Sequence, residues 1–82
     1  EMKASGLTIY PNPSSGQFII DLQNESDVDL LLTDLRGNVV KRVMNSNVSS
    51  RMVVDLDNQP SGIYMISGTV GSISVSEKIM KF

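Results

Sequence analysis

The chain contains no histidine and no cysteine, which removes the usual general base of serine- and cysteine-dependent nucleophilic catalysis and the ligands of zinc and other soft-metal sites. Serine beside lysine is the nucleophilic arrangement that remains, and nothing in the spacing of these residues places such a pair in a cleft. Oxygen ligation is the second chemistry to weigh. Asp55 and Asp57, with Asn58 adjacent, offer hard donors of the kind calcium takes, but the Asp-x-Asp-Asn spacing lacks the rest of a calcium-binding loop, and a polar bend after a strand uses the same residues. Asn24-Glu25-Ser26 and Asn47-Val48-Ser49 match the N-glycosylation pattern, both at a length that chance supplies in a chain rich in Asn and Ser. The expectation is a protein that is not an enzyme, with no catalytic residues, no metal site and no cofactor.

Charge narrows the partners. The seven Lys and Arg residues are scattered and the net charge is −2, so the footprint of a phosphate-backbone binder is missing and no nucleic acid is expected. The longest apolar run, Leu30-Leu31-Leu32, is far short of the roughly 20 residues of a membrane helix, so no membrane insertion is expected. No apolar block of signal-peptide length is present either, so an exported protein of this kind carries its signal peptide upstream, on a longer precursor. Eighty-two residues make one small domain that buries only about 60 per cent of its unfolded surface, held by apolar packing without disulfide staples. Residues 1–6 read as linker or appended sequence, and residues 7–82 as the domain.

The elements that must position any site are strands. Apolar and β-branched residues alternate in short runs broken by turn residues, the pattern of a sandwich or barrel. The runs are Leu7 to Tyr10, Gln17 to Leu22, Val28 to Asp34, Val39 to Met44, Met52 to Leu56, Ile63 to Ser67 and Ile73 to Lys81. Phe18, Ile20 and Leu22 give the second run one inner face. In the third, Val28, Leu30 and Leu32 face one way and Leu31 interrupts an otherwise polar outer face, which points to a central, covered strand. Turn residues cluster at 11–16, 24–27, 36–38, 45–50, 57–62 and 68–71. Gly37 and Asn38 suit a tight hairpin joining the third and fourth runs. Tyr64, two residues after Gly62 and a Pro-Gly-bearing bend, has the placement of a tyrosine corner, with its hydroxyl turned back to the bend and Tyr64 and Ile66 inward. The expected fold is an all-β, immunoglobulin-like antiparallel sandwich of about seven strands.

Three further motifs have both a folding and a recognition reading. In Tyr10-Pro11-Asn12-Pro13 each proline removes a donor and pushes the preceding residue toward extended geometry, so the motif either ends an edge connection rigidly or contacts a receptor. Asp34 before Leu35-Arg36-Gly37 either caps its own turn or faces a partner. The last hairpin carries Ser67, Ser72, Ser74 and Ser76, and its closing strand interleaves Glu77, Lys78 and Lys81 with Ile79, Met80 and Phe82. That strand either completes a sheet, with lysines guarding the edge, or is captured by strand addition.

Taken together, Tyr10-Pro11-Asn12-Pro13 with Gly16-x-Phe18, Asp34-Leu35-x-Gly37-x-Val39-Val40, Pro60-Ser61-Gly62-Ile63-Tyr64 and the lysine-bearing strand Glu77 to Phe82 resemble the C-terminal sorting domain of the type IX secretion system of Bacteroidetes, in its type A form. The resemblance runs from about Leu7 to Phe82. It implies a compact seven-strand sandwich attached to an N-terminal cargo protein, in transit through the periplasm and then at the cell surface or secreted. It also implies two partners: the outer-membrane translocon, which recognises the folded domain, and a sortase-like cysteine peptidase, which removes it. Carried over by motif, the candidate recognition residues are Tyr10, Pro11, Asn12, Pro13, Asp34, Gly37, Gly62, Tyr64, Lys78 and Lys81. The rival reading is a fibronectin-like accessory module that binds glycan or peptide for an extracellular enzyme. Two Tyr, two Phe and no Trp leave that module little with which to stack on a sugar.

Overall fold

A computed structural model describes residues 2–4, 7–22, 24–48 and 51–82. They form strands β1 (Met2–Ala4), β2 (Leu7–Tyr10), β3 (Gln17–Leu22), β4 (Ser26–Asp34), β5 (Val39–Val48), β6 (Arg51–Asp55), β7 (Gly62–Val70) and β8 (Ile73–Lys81), with no helix among the described residues. One sheet has the order β1-β2-β3-β6 and the other β5-β4-β7-β8, and every neighbouring pair is antiparallel. Counted from β2, the first, second and fifth strands share one sheet and the fourth, third, sixth and seventh the other, an immunoglobulin-like sandwich in which the fourth strand has moved to the sheet of the third.

Alternation fixes which side of each strand is inside. Leu7, Ile9, Phe18, Ile20, Leu22, Val54 and Leu56 line the inner face of the first sheet and Val28, Leu30, Leu32, Tyr64, Ile66, Val75 and Ile79 that of the second, all below a tenth exposed. Truncating any one of the fully buried Leu or Ile side chains to alanine removes about 2–5 kcal/mol from a domain this small. β4 is central, as Leu31 on its outer face predicts, between β5 and β7. Its outward Leu31 is only half covered, lying in register with Arg42 on one side and Ser67 on the other.

Parts of four stretches read as turns are strand, Ser26 and Asp27 opening β4 and Gly62 opening β7, while positions 49 and 50 of the 45–50 stretch lie outside the described residues. The segment 45–48 extends β5 through a bulge opposite Asp27, whose carboxylate accepts the Asn47 amide at 2.9 Å, while Asn47 takes a φ of 55°. Segment 68–70 extends β7, and Gly68 is in it because a Cβ there would lie 2.0 Å from the Asp29 carbonyl oxygen. The Asp34–Asn38 hairpin joins β4 to β5 directly, with Gly37 at a φ of 90° supplying the left-handed residue the turn needs. Beyond the seven runs, Met2–Ala4 pairs with β2 as an added edge.

Candidate recognition surface

Strand register gathers the sequence motifs at one end of the sandwich. Asp34 pairs with Tyr64 and Tyr64 with Ile79; the next row is Ile63 with Met80; the row after that is Gly62 with Lys81, and Lys81 bridges in parallel to Ser14. Residues far apart in the chain thus lie in three adjacent rows. Tyr10 stands apart from them: it pairs with Ile19 in the other sheet, and its hydroxyl lies 3.5 Å from the Asp21 carboxylate. Gly37 is exposed at the hairpin tip, with open space where a side chain would go.

The Tyr-Pro-Asn-Pro segment and the last strand form one unit. β2 ends at Tyr10, and the Tyr10–Pro11 and Asn12–Pro13 peptide bonds are cis. The segment then runs along the outer edge of β8. The Asn12 amide behaves as a short strand, its Nδ2 donating to the Lys78 carbonyl at 3.1 Å and its Oδ1 accepting the Met80 amide at 2.9 Å. Ser14 continues the seal, donating its amide to the Met80 carbonyl at 3.0 Å and accepting the Phe82 amide at 2.9 Å. Three outward main-chain groups of β8 and the Phe82 amide just after it are thereby satisfied, and this half of the edge offers no ladder for strand addition. Ser14 itself is buried, with Oγ donating to the Gln17 carbonyl at 2.5 Å and accepting the Gly16 amide at 3.1 Å. Ser14 stands outside the candidate recognition residues, and its sequence signal is Ser14-Ser15-Gly16, a local serine motif that turns the chain into β3.

The connection 56–61 between β6 and β7 is held by residues from three of the motifs. The Leu56 amide donates to the Gly16 carbonyl at 2.7 Å, and Gly16 must lack a Cβ because one would sit 2.0 Å from Asp57 Oδ1 and 3.3 Å from Asp57 Cα. The Tyr64 hydroxyl donates to the Pro60 carbonyl, the corner expected of it, and Tyr64 is 4% exposed. Lys81 is 8% exposed, and its ammonium donates to the carbonyls of Asp57, at 3.1 Å, and Gln59. An edge-guarding lysine would point to water. Lys81 points inward because β8 alternation puts it on the core face with Val75 and Ile79, and the bend supplies the oxygens its charge requires.

Asp34 caps its own turn. Its Oδ1 accepts the amides of Arg36 and Asn38, both at 2.9 Å, and Oδ2 accepts Asn38 Nδ2 at 3.2 Å. The Asn38 amide, foremost, with the Asn38 side chain and Arg36, holds its carboxyl below the usual aspartate range against the opposing effect of desolvation. Asp55 is likewise engaged, accepting the Asp57 amide at 2.8 Å, and no cluster of three or more metal-ligating side chains occurs among the described residues. The polar groups of Asn12, Asp34, Tyr64 and Lys81 are therefore spent inside the fold. What this end presents to solvent lies between them. A groove of about 480 Å³ runs past Leu35, Arg36, Val40, Pro60 and Ile63, and a second of about 200 Å³ lies between Pro13, Lys78 and Met80, with Ile63 as the common wall.

Residues 8–81 match the family model of the secretion system C-terminal sorting domain. The chain belongs to that family. The sorting domain is also 34% identical, over 71 residues, to ulvan lyase NLR42 of Nonlabens ulvanivorans, a match covering 87% of this chain and 13% of the lyase. It thus spans a small fraction of the curated relative it matches. In the sorting domain the Tyr-Pro-Asn-Pro segment seals the last strand, Gly16, Tyr64 and Lys81 hold the 56–61 bend, and Asp34 closes its own hairpin.

Proposed function

We propose that this domain is the address that directs an N-terminal cargo protein across the outer membrane through the type IX translocon, after which a sortase-like cysteine peptidase at the surface removes it. In this reading the chain supplies no catalysis; it is substrate and signal, periplasmic in transit and then at the cell surface or outside the cell. The observation that carries the reading is the convergence of the family's motif residues on one end of the sandwich, where Asn12, Asp34, Tyr64 and Lys81 fix the geometry of an exposed surface and Gly37 and Lys78 border it. A receptor that must accept many cargoes needs a feature independent of cargo, and a rigid end of the shared domain is one. Tyr10, Pro11, Pro13 and Gly62 serve that end by shaping its connections.

The test is a fusion of residues 1–82 behind a signal peptide and a reporter, expressed in a host with a type IX system. The reporter should reach the surface with the domain removed. A reporter that stays in the periplasm although the domain is folded and soluble overturns the reading and favours the accessory binding module.

A further inference from the structure

The cations of this domain divide into two groups. Arg42 pairs with Asp29 at 3.2 Å and Arg51 with Asp21 at 3.7 Å, while Lys41 and Lys81 donate to main-chain carbonyls. Among the cations whose side chains are described, Arg36 and Lys78 make no such hydrogen bond or ion pair. They lie on the two grooves that share Ile63, one on each. Each groove therefore pairs an unpaired cation with apolar walls. The first has Leu35, 71% exposed, beside Arg36; the second has Met80, 44% exposed, beside Lys78. The Asp34 carboxylate, on which the Arg36 charge also acts, is turned onto its own turn amides. In a chain of net charge −2, two unpaired cations at one end, set among exposed apolar side chains, define a surface of specific complementarity.

We propose, building on the sorting function above, that this twin groove is the face the translocon reads, and that its occupant is an extended loop of the translocon carrying two apolar side chains flanked by carboxylates. One apolar side chain packs against Leu35 and Ile63 with a carboxylate on Arg36; the other packs against Ile63 and Met80 with a carboxylate on Lys78. Strand addition is not the mode here, because Asn12 and Ser14 already occupy the adjoining edge of β8. Recognition is by side chains seated on a preformed surface, with charge setting orientation.

The reporter fusion tests this. Arg36→Glu with Lys78→Glu should lower surface delivery by at least about tenfold with the reporter retained in the periplasm, since like charges facing each other across an interface are strongly unfavourable. Leu35→Ser with Met80→Ser should lower it as well, whereas Arg36→Lys with Lys78→Arg should export normally. Arg51→Glu, on the opposite sheet, is the control for charge alone. Each variant is checked for an unchanged thermal midpoint in the purified domain; if a double variant melts early, Leu35→Ser alone, outside the core, replaces it. Failure of the unmodified fusion to export overturns the sorting function itself. Export of a folded double charge-reversal variant at the unmodified level overturns the groove while leaving the sorting function standing. Sedimentation gives a third outcome: if the unmodified domain dimerises and the charge-reversed one does not, the surface belongs to a second copy of this chain, and the translocon assignment is wrong.

Discussion

At the residue scale, the side chains that look most like recognition elements are engaged in holding the chain together. Lys81→Met keeps much of the buried stem but removes the donor to two carbonyls of the 56–61 connection, and should cost about 2 kcal/mol in urea unfolding. Tyr64→Phe keeps the ring and loses only the bond to the Pro60 carbonyl, so about 1–2 kcal/mol is expected; Tyr64→Ala, which also empties a core position, should cost about 3–5 kcal/mol. Asp34 makes a different prediction. Its folded carboxyl is held below the ordinary range, so it stabilises the fold at pH above its unfolded value, and that contribution disappears as pH falls through the folded one. Replacing it with alanine should flatten the acid limb of a urea-midpoint-versus-pH curve; an unchanged limb in the variant means the turn bonds do not form in solution. Tyr64 was legible from its distance to Gly62, and Asp34 from the turn residues after it. The burial of Lys81 was not, because a lysine on a terminal strand alternates with apolar residues whether it guards an edge or reaches carbonyls beneath it.

At the scale of elements, the bonds between the 11–14 segment and β8 predict a sharp contrast in hydrogen exchange. Met80 and Phe82 donate outward to Asn12 and Ser14, and the unbroken β7–β8 register places the amides of Ser74 and Ser76 on the same outer side. Met80 and Phe82 should exchange slowly and Ser74 and Ser76 quickly. Asn12→Ala should accelerate Met80 selectively; equal acceleration along all of β8 would mean that the segment stabilises the sheet globally and does not seal one edge. The limits of β2, β3 and β8 were readable from alternation alone, because those strands end at proline, glycine or polar turns. β5 and β7 ran longer than their composition suggests for a local reason in each case: Asp27 satisfies the bulge at Asn47, and Gly68 is demanded by the Asp29 carbonyl next to it. Neither interaction has a sequence-local signature, since each depends on a strand that arrives from elsewhere in the chain.

At the scale of the whole molecule, the core, sixteen buried apolar residues among those described, spans both sheets and draws on every strand from β2 to β8. Deleting residues 1–6 should therefore leave a β-type far-UV spectrum and a single cooperative urea transition, shifting its midpoint only slightly, as expected of a linker that adds one short edge. A broad or biphasic transition in the shortened chain would make Met2–Ala4 part of the domain. The fold class was written in the period-two pattern and the corner tyrosine, whereas the exposed surface was not: Leu35, Arg36, Ile63 and Met80 acquire meaning only once β4, β7 and β8 lie side by side.

The contacts of Asn12 with Lys78 and Met80 span 66 and 68 positions of sequence, and they amount to a clasp between the two ends of the domain. A chain emerging from its N-terminal side cannot close the clasp, stack Val75 and Ile79 into the core or anchor the 56–61 bend until β8 is present. Contacts of such separation also make closure slow compared with a local hairpin. The assembled end of the sandwich thus reports that β8 has been made and docked: a chain whose synthesis stopped short of β8 carries the Tyr-Pro-Asn-Pro and Asp34 motifs but not the shape they build together.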